Sequence, residues 1–398
     1  MSLRVEKIEN PGVEKGSPAE AIGEALRETL ATRDDFYLFS PDETTSNRLD
    51  AVFKNASRAW NLPTKDFDLP ESADGHVVEL LSENTLFACM VGHILSGEPA
   101  MMTSYEAFFP IITSQLVQQL KFLKQSSEVS WRPKYPAINL LSTSTCWRQD
   151  HNGFSHQTPM LISTLLSYPG KKVNCLFPCD DVSAVAAYNY MLSTENVVNL
   201  TTFNKSVEPR FIDSAHAEFQ FKNGGASIFG FVSSENPEVI FTAAGDIATR
   251  ETLYAMKLLR EDLYDVKLRF VGINALSYGA IGTSVQPFTQ GQFNEYFTTD
   301  KPIIANFHGY ADTLRQILRN YTDDTRLSVH GFMEEGSTTT PFEMLAMNHA
   351  SRYDIAADAA RKMGIDELVK KYENMLEQNH RYALEFGEDL PEIRNFSY

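Results

Sequence analysis

The chain has 398 residues, 43% of them hydrophobic, which suffices for two or three domains with full cores and excludes wholesale disorder. Its 35 basic residues stand against 52 acidic ones, a net charge of −17, and no basic cluster stands out, which argues against a nucleic-acid or anionic-membrane partner. Any phosphate site in so acidic a chain must be built locally from Arg, His and backbone N–H groups. Cys89, Cys146, Cys175 and Cys179 each sit in apolar surroundings without a second pair at metal spacing. They are expected as buried, reduced thiols, which suits a cytoplasmic protein. The Met1-Ser2-Leu3 start lacks a signal peptide's apolar run, and no apolar run reaches membrane-spanning length.

In chain order, Ser17-Pro18-Ala19-Glu20 opens a helix to Asp34, with Ser17 as N-cap and Pro18 in the first turn. Phe36–Phe39 reads as a strand, Ser82–Leu95 as an apolar helix, and Ala137–Leu141 and Val173–Phe177 as strands. Asp180 and Asp181 open a helix through Leu192, and Val197–Phe203 is the next strand. The charged, turn-rich stretch Asn204–Asn223 reads as a boundary. Beyond it, Glu238–Ala243 is a strand, Thr249 is placed to cap a helix with Leu253, Met256, Leu259 and Leu263 in one stripe, and Lys267–Ile273 completes a βαβ unit. Pro302–Phe307, a helix over Ala311–Asn320, and Leu327–His330 repeat the theme. Asp366–Phe386 is a terminal amphipathic helix with Leu368, Tyr372, Met375, Tyr382 and Phe386 inward and Gly387 as stop. Strands alternating with crossover helices give an α/β chain of two domains, about 1–206 and 207–398, each a mainly parallel sheet flanked by helices.

Ligands of open parallel sheets bind beyond the carboxyl ends of the strands. Polar stretches stand at such places: Pro41–Arg48, the region of Glu83, Thr103–Phe109, and Trp147-Arg148-Gln149-Asp150-His151-Asn152-Gly153-Phe154-Ser155-His156-Gln157. Glu83 suits a helix N-terminus either as a functional carboxylate or as a capping charge. Arg48 with Ser46 is either a phosphate clamp or a solvated loop arginine. His151 and His156 are poorly spaced for a metal and suit a polar network or substrate. Gly245-Asp246 lacks the pattern of a nucleotide-binding loop, and Glu334–Phe342 reads as a capped turn entering a helix.

Taken together, Pro41-Asp42-Glu43-Thr44 with Ser46-Asn47-Arg48, Leu81-Ser82-Glu83, Ser104-Tyr105-Glu106-Ala107-Phe108 and Trp147–Phe154 resemble the C-terminal half of a phosphoketolase. Phe297–Pro302, His308-Gly309-Tyr310, Glu334–Phe342 and Gly387–Arg394 extend the likeness nearly end to end. The resemblance implies a transketolase-like fold holding a pyrimidine-binding domain and a C-terminal domain. It implies thiamine diphosphate with a divalent metal such as Mg2+, and cleavage of xylulose 5-phosphate, or fructose 6-phosphate, by inorganic phosphate to acetyl phosphate and an aldose phosphate. By position, Glu83 meets the cofactor's aminopyrimidine, Phe108 stacks on that ring, and Tyr105 lines the pocket. Glu43 joins Glu83 in a carboxylate network between paired active sites. Ser46, Arg48, Tyr105, Gln149, His151, Asn152 and Lys205 meet phosphate groups, and His151 assists dehydration of the two-carbon fragment. The chain departs from relatives at Asn84, Phe87-Ala88-Cys89-Met90, Thr158 and Met160, near the pocket wall. It also lacks the family's Gly-Asp-Gly metal and diphosphate motif, since Gly245-Asp246 is followed by Ile247. The expectation is therefore a fragment or subunit that is inactive alone, holds no metal itself, needs a diphosphate-binding domain or subunit, and forms a homodimer. The alternatives are a non-catalytic scaffold and half of another transketolase-like enzyme.

Overall fold

Strands that lie between two helical layers are apolar on both faces rather than alternating. The runs Leu38-Phe39, Met101-Met102 and Leu140-Leu141 have this character, and all are buried. The computed structural model describes residues 3–41, 43–68, 71–333 and 335–398. Among them one sheet has eleven strands, in the order Gln286–Pro287, Ala280–Thr283, Ala275–Ser277, Val173–Leu176, Val198–Thr202, Ile138–Thr143, Ala100–Tyr105, Tyr37–Ser40, Val77–Glu79, Arg58–Ala59, Glu71–Ser72. From Val173–Leu176 onward all pairings are parallel, with Leu38 opposite both Val77 and Met101, and Leu140 opposite both Met102 and Leu200. The first three strands come from the second half of the chain and add antiparallel, Ala275 on Leu176 and Leu276 on Cys175.

A second sheet has five strands among the described residues: Ala226–Ile228, Leu268–Ile273, Val239–Ala244, Ile303–Tyr310 and Leu327–Phe332. Only the first is antiparallel to its neighbour. Both sheets are flanked by helices, as the alternation of elements predicts. One hydrophobic cluster runs through the two, from Phe39, Leu86 and Leu140 to Ile240, Val271 and Ile303. Phe177 meets Phe307 edge-on at 5.3 Å within it.

Local signals decide most helix starts. Ser17 accepts the Glu20 N–H at 3.3 Å and Pro18 opens the helix Pro18–Thr32. Ser82 caps Glu83–Leu95 and Asp180 caps Asp181–Leu192. Thr340 caps Pro341–Met347, while Glu334 of that stretch and Asp42 of the Pro41–Thr44 stretch lie outside the described residues. Three expectations are corrected. Thr249 caps nothing: the helix Asp246–Asp262 starts earlier, at Gly245, and Thr249 is buried within it. Leu368 and Tyr372 are buried in the terminal helix, but Phe386 is exposed and Tyr382 half-buried, because Asn379 is the last side chain of the helix to enter the core. Cys89 is exposed on the outer face of its helix, whereas Cys146, Cys175 and Cys179 are buried.

A buried ionic network ties the second half together. Arg352 binds Glu251 through Nε and Nη2 at 2.8 Å each, and Arg250 bridges Glu251 to Glu208 at 2.7 Å. Glu251 is held at about 2: burial opposes its ionisation, and the two guanidinium groups overcome burial. No helix among the described residues is long and apolar enough to cross a membrane.

Candidate functional site

Five parallel strands, Tyr37–Ser40, Val77–Glu79, Ala100–Tyr105, Ile138–Thr143 and Val198–Thr202, run side by side with their carboxyl ends on one edge. Every residue singled out from the sequence follows one of those ends. Glu43 lies past Ser40, whose Oγ accepts the Glu43 N–H at 3.2 Å. Its carboxylate accepts the Tyr105 N–H at 3.0 Å, which ties two strand ends together. Glu83 is the first residue of its helix, where the free N–H groups favour a negative charge. Its Oε1 accepts the Ser104 hydroxyl at 3.5 Å, a loose bond that leaves the half-buried carboxylate largely uncommitted.

Burial pushes the Glu43 carboxyl up to about 7, and the neighbouring Glu83 charge adds to this. The Tyr105 N–H, Asn47 and Lys205 oppose the rise without cancelling it. A carboxyl group that titrates near neutrality within electrostatic reach of Glu83 is placed to hold or release a proton at this edge.

Beside this pair the rings of Tyr105 and Phe108 lie parallel, 5.8 Å apart with 11° between planes. His156 packs edge-on to Phe108 at 5.2 Å and tilted to Tyr105 at 6.1 Å. The Tyr105 hydroxyl donates to Ser46 Oγ at 3.0 Å, and Lys205 Nζ donates to the Ser46 carbonyl at 3.1 Å while lying 5.1 Å from the Tyr105 ring. Burial, and then the Arg48 charge, lower the Lys205 pKa. Arg48 adopts a left-handed backbone, φ 59°, and pairs with Glu20 at 3.1 Å. Both partners are about half exposed, so this pair is readily exchanged for an anionic ligand.

The Trp147–Gln157 stretch folds as two short 3-10 turns. Gln149 is buried, and its Nε2 has no partner among the described residues, nor has Asn204 Nδ2. Buried donors left open in this way are what a bound acceptor would satisfy. His151 and Asn152 are exposed, and their side chains have no partner among the described residues. Glu43, Ser46, Arg48, Glu83, Tyr105, Phe108 and Lys205 are thus linked by contacts or by charge, and of the Trp147–Gln157 stretch it is His156, rather than Gln149, His151 or Asn152, that makes contact with them. The resemblance selects His151 for the site, and it is His156 that reaches the aromatic pair.

Sequence reasoning missed one constellation. Glu106 Oε1 meets His308 Nε2 at 2.7 Å, and Glu106 Oε2 accepts the Cys146 N–H at 2.7 Å. Burial, and then the Glu106 charge, raise the Cys146 thiol well above its usual range. The ligand-type atoms of Glu106, Cys146 and His308 lie within 4.8 Å of one another, but all three residues are buried. Both Glu106 and His308 stand inside stretches that the sequence marks. Their pairing spans 202 residues, and nothing local signals it.

An aminopyrimidine ring asks for a carboxylate beside an aromatic face, and Glu83 with Tyr105 and Phe108 meets that demand. A diphosphate-bound metal asks for open oxygen ligands. The one metal-type group among the described residues is closed and already hydrogen-bonded.

Residues 20–194 match the family model described as D-xylulose 5-phosphate/D-fructose 6-phosphate phosphoketolase, and residues 205–398 match the model of that family's C-terminal domain. A probable phosphoketolase of Rhodopseudomonas palustris (strain TIE-1) is 35% identical over 407 residues, which cover 98% of this chain and 51% of the relative. The chain thus spans about half the length of the curated relatives it matches. Among solved structures, transketolase from Pichia stipitis aligns with a TM-score of 0.71 at 13% identity, over 91% of this chain and 48% of that one. A split-gene transketolase, described as an inactive beta4 tetramer, aligns with a TM-score of 0.61 at 14% identity, over 88% of this chain and 99% of that one. These two likenesses concern the fold alone.

Proposed function

The chain belongs to the phosphoketolase family, of which it carries the C-terminal half, and from that premise we propose that it supplies the pyrimidine-side half of a thiamine-diphosphate-dependent active site. The complete enzyme cleaves xylulose 5-phosphate, and fructose 6-phosphate in the same manner, with inorganic phosphate to acetyl phosphate and a shortened aldose phosphate. The metal, Mg2+ or a similar ion, and the diphosphate are held by a partner domain or subunit, and this chain alone does not turn over. Thiamine diphosphate, when bound, would supply the electron sink that takes up the negative charge left on the two-carbon fragment.

This chain's residues orient that chemistry. The Glu83 carboxylate would accept a hydrogen bond from a pyrimidine N–H and so favour the tautomer that acts as internal base. Glu43, raised toward neutrality by burial and the Glu83 charge, stands behind it as a second carboxyl group. Tyr105 and Phe108 hold the ring face, and His156 closes its edge. Lys205, Arg48 and Ser46 offer donors to a phosphate group, with Gln149, His151 and Asn152 at the rim. Leu81, which immediately precedes the Ser82–Glu83 helix start, is exposed, as are Leu80, Ile111 and Phe122. Such apolar surface beside the carboxylates supports pairing with a second copy across this edge. An acidic surface and mostly buried thiols suit a cytoplasmic enzyme.

The observation that carries the reading is the Glu43–Glu83 pair beside the Tyr105–Phe108 stack. The test is acetyl phosphate formation, trapped as the hydroxamate, by the complete enzyme containing this half. E83Q should lower the rate by roughly 10²–10⁴-fold without changing the folded fraction. Full rate in E83Q would sink the assignment.

A further inference from the structure

His308 belongs to the second sheet, on the strand Ile303–Tyr310, yet its bonds go to the first. It is fully buried. Its imidazole Nε2 is 2.7 Å from Glu106 Oε1, and its carbonyl accepts the Trp147 Nε1–H at 2.7 Å. Glu106 in turn accepts the Cys146 N–H at 2.7 Å and donates its own N–H to the Thr143 carbonyl at 2.8 Å. Glu106 stands between Tyr105 and Phe108 in sequence, and Cys146-Trp147 stands at the head of the Gln149–Asn152 rim. One residue of the C-terminal half therefore fastens both walls of the candidate site. We infer that His308 is a positioning residue: through Glu106 and Trp147 it sets where the aromatic pair and the polar rim sit. The inference concerns the same site as the proposed function and takes its catalytic meaning from that reading.

Three further observations support it. The space for the imidazole is reserved by Gly245, at φ 111°, where a Cβ would fall 2.8 Å from His308 Cβ. Burial alone would depress the imidazole, but Glu106, by charge and hydrogen bond, and then Asp246 raise it above its ordinary value. Glu106, Asp246 and the Cys146 thiol are the titratable groups around the ring among the described residues, and a charge-assisted hydrogen bond in so dry a place is stiff. Catalytic groups need placement to about 0.5 Å, which packing alone rarely provides.

The test is made on the folded chain by NMR and then in the complete enzyme. His156 touches Tyr105 and Phe108 and has no contact with His308, so its ring-proton resonances report the aromatic pair by ring current. In H308Q these resonances should move, and in the E106Q/H308Q double variant, which restores a neutral amide–amide bond, they should return toward wild type. In the complete enzyme, the apparent affinity for thiamine diphosphate should fall about tenfold in H308Q and recover in the double variant, as expected for a site misplaced by a fraction of an ångström. If H308Q does not fold, E106Q takes its place, since it keeps the side-chain volume and one acceptor. A role in stability alone would lower the unfolding midpoint and leave the folded spectrum unchanged. Unchanged His156 resonances in a folded H308Q or E106Q chain would overturn the inference. An enzyme that makes no acetyl phosphate would overturn the proposed function instead, and the resonances would still decide the clamp.

Discussion

Replacing Glu43 by Gln should stabilise the chain at neutral and alkaline pH and leave its stability unchanged in acid. Burial and the Glu83 charge lift this group from an ordinary 4.5 to about 7. At 1.36 kcal/mol for each tenfold change in proton affinity, ionised Glu43 costs the fold up to about 3 kcal/mol. The folded chain holds the proton more tightly than the unfolded chain. The group's contribution is therefore most favourable below pH 4.5, and stability is lost as pH rises through about 7. Gln is neutral throughout and keeps an acceptor for the Tyr105 N–H. Urea denaturation from about pH 4 to about pH 8 should thus give curves that start together and separate, with E43Q the more stable by on the order of 1–3 kcal/mol at the alkaline end. Subtracting the two curves removes every other titrating group. A constant offset at all pH values would refute the reasoning, because it would mean that the carboxyl is not displaced from its ordinary range. The same variant should slow the complete enzyme, so that a costly group is kept for its chemistry.

R352M should lose on the order of 3 kcal/mol in urea denaturation, because it removes the bidentate partner of buried Glu251 and leaves Arg250, shared with Glu208, as its remaining cation. G245A combines a positive φ, open chiefly to glycine, with a close approach to His308, and should lower stability by roughly 1–3 kcal/mol in the same assay. An aromatic disulfide reagent should label Cys89 rapidly in the native chain, and Cys146, Cys175 and Cys179 only after denaturant is added. Fast labelling of a second thiol would mean that the interior around Cys146 opens more readily than its burial implies.

The strands and the capped helices were legible because their causes are local. Ser17, Ser82 and Asp180 each place an acceptor where a helix begins, and unbroken apolar runs such as Met101-Met102 are strands wherever they are buried. The polar strand ends were legible for the same reason. Thr249 misled because a good capping residue also fits inside a helix when Gly245 has already turned the chain. Tyr382 and Phe386 misled because periodicity marks an apolar face and does not show where its partner surface ends. The Glu106–His308 bond was not legible at all. Its partners meet only once two separate sheets have formed and packed, and a single sequence carries no trace of that coincidence.

The hairpin over Ala275–Thr283 has a consequence for how the molecule is made. The strand Val173–Leu176 is buried along its whole length, and Ala275–Ser277 covers its outer side. A nascent chain that has emerged only as far as Val198–Thr202 can pair the inner side and must leave the outer side bare. Such an edge recruits other strands. Until synthesis reaches Ser277, the growing protein presents a sticky apolar margin, and a chaperone or rapid completion has to keep neighbouring chains from joining it. Proteolysis between Ile273 and Ala275 in the finished molecule would loosen the anchor of that cover and return the protein to the same aggregation-prone condition.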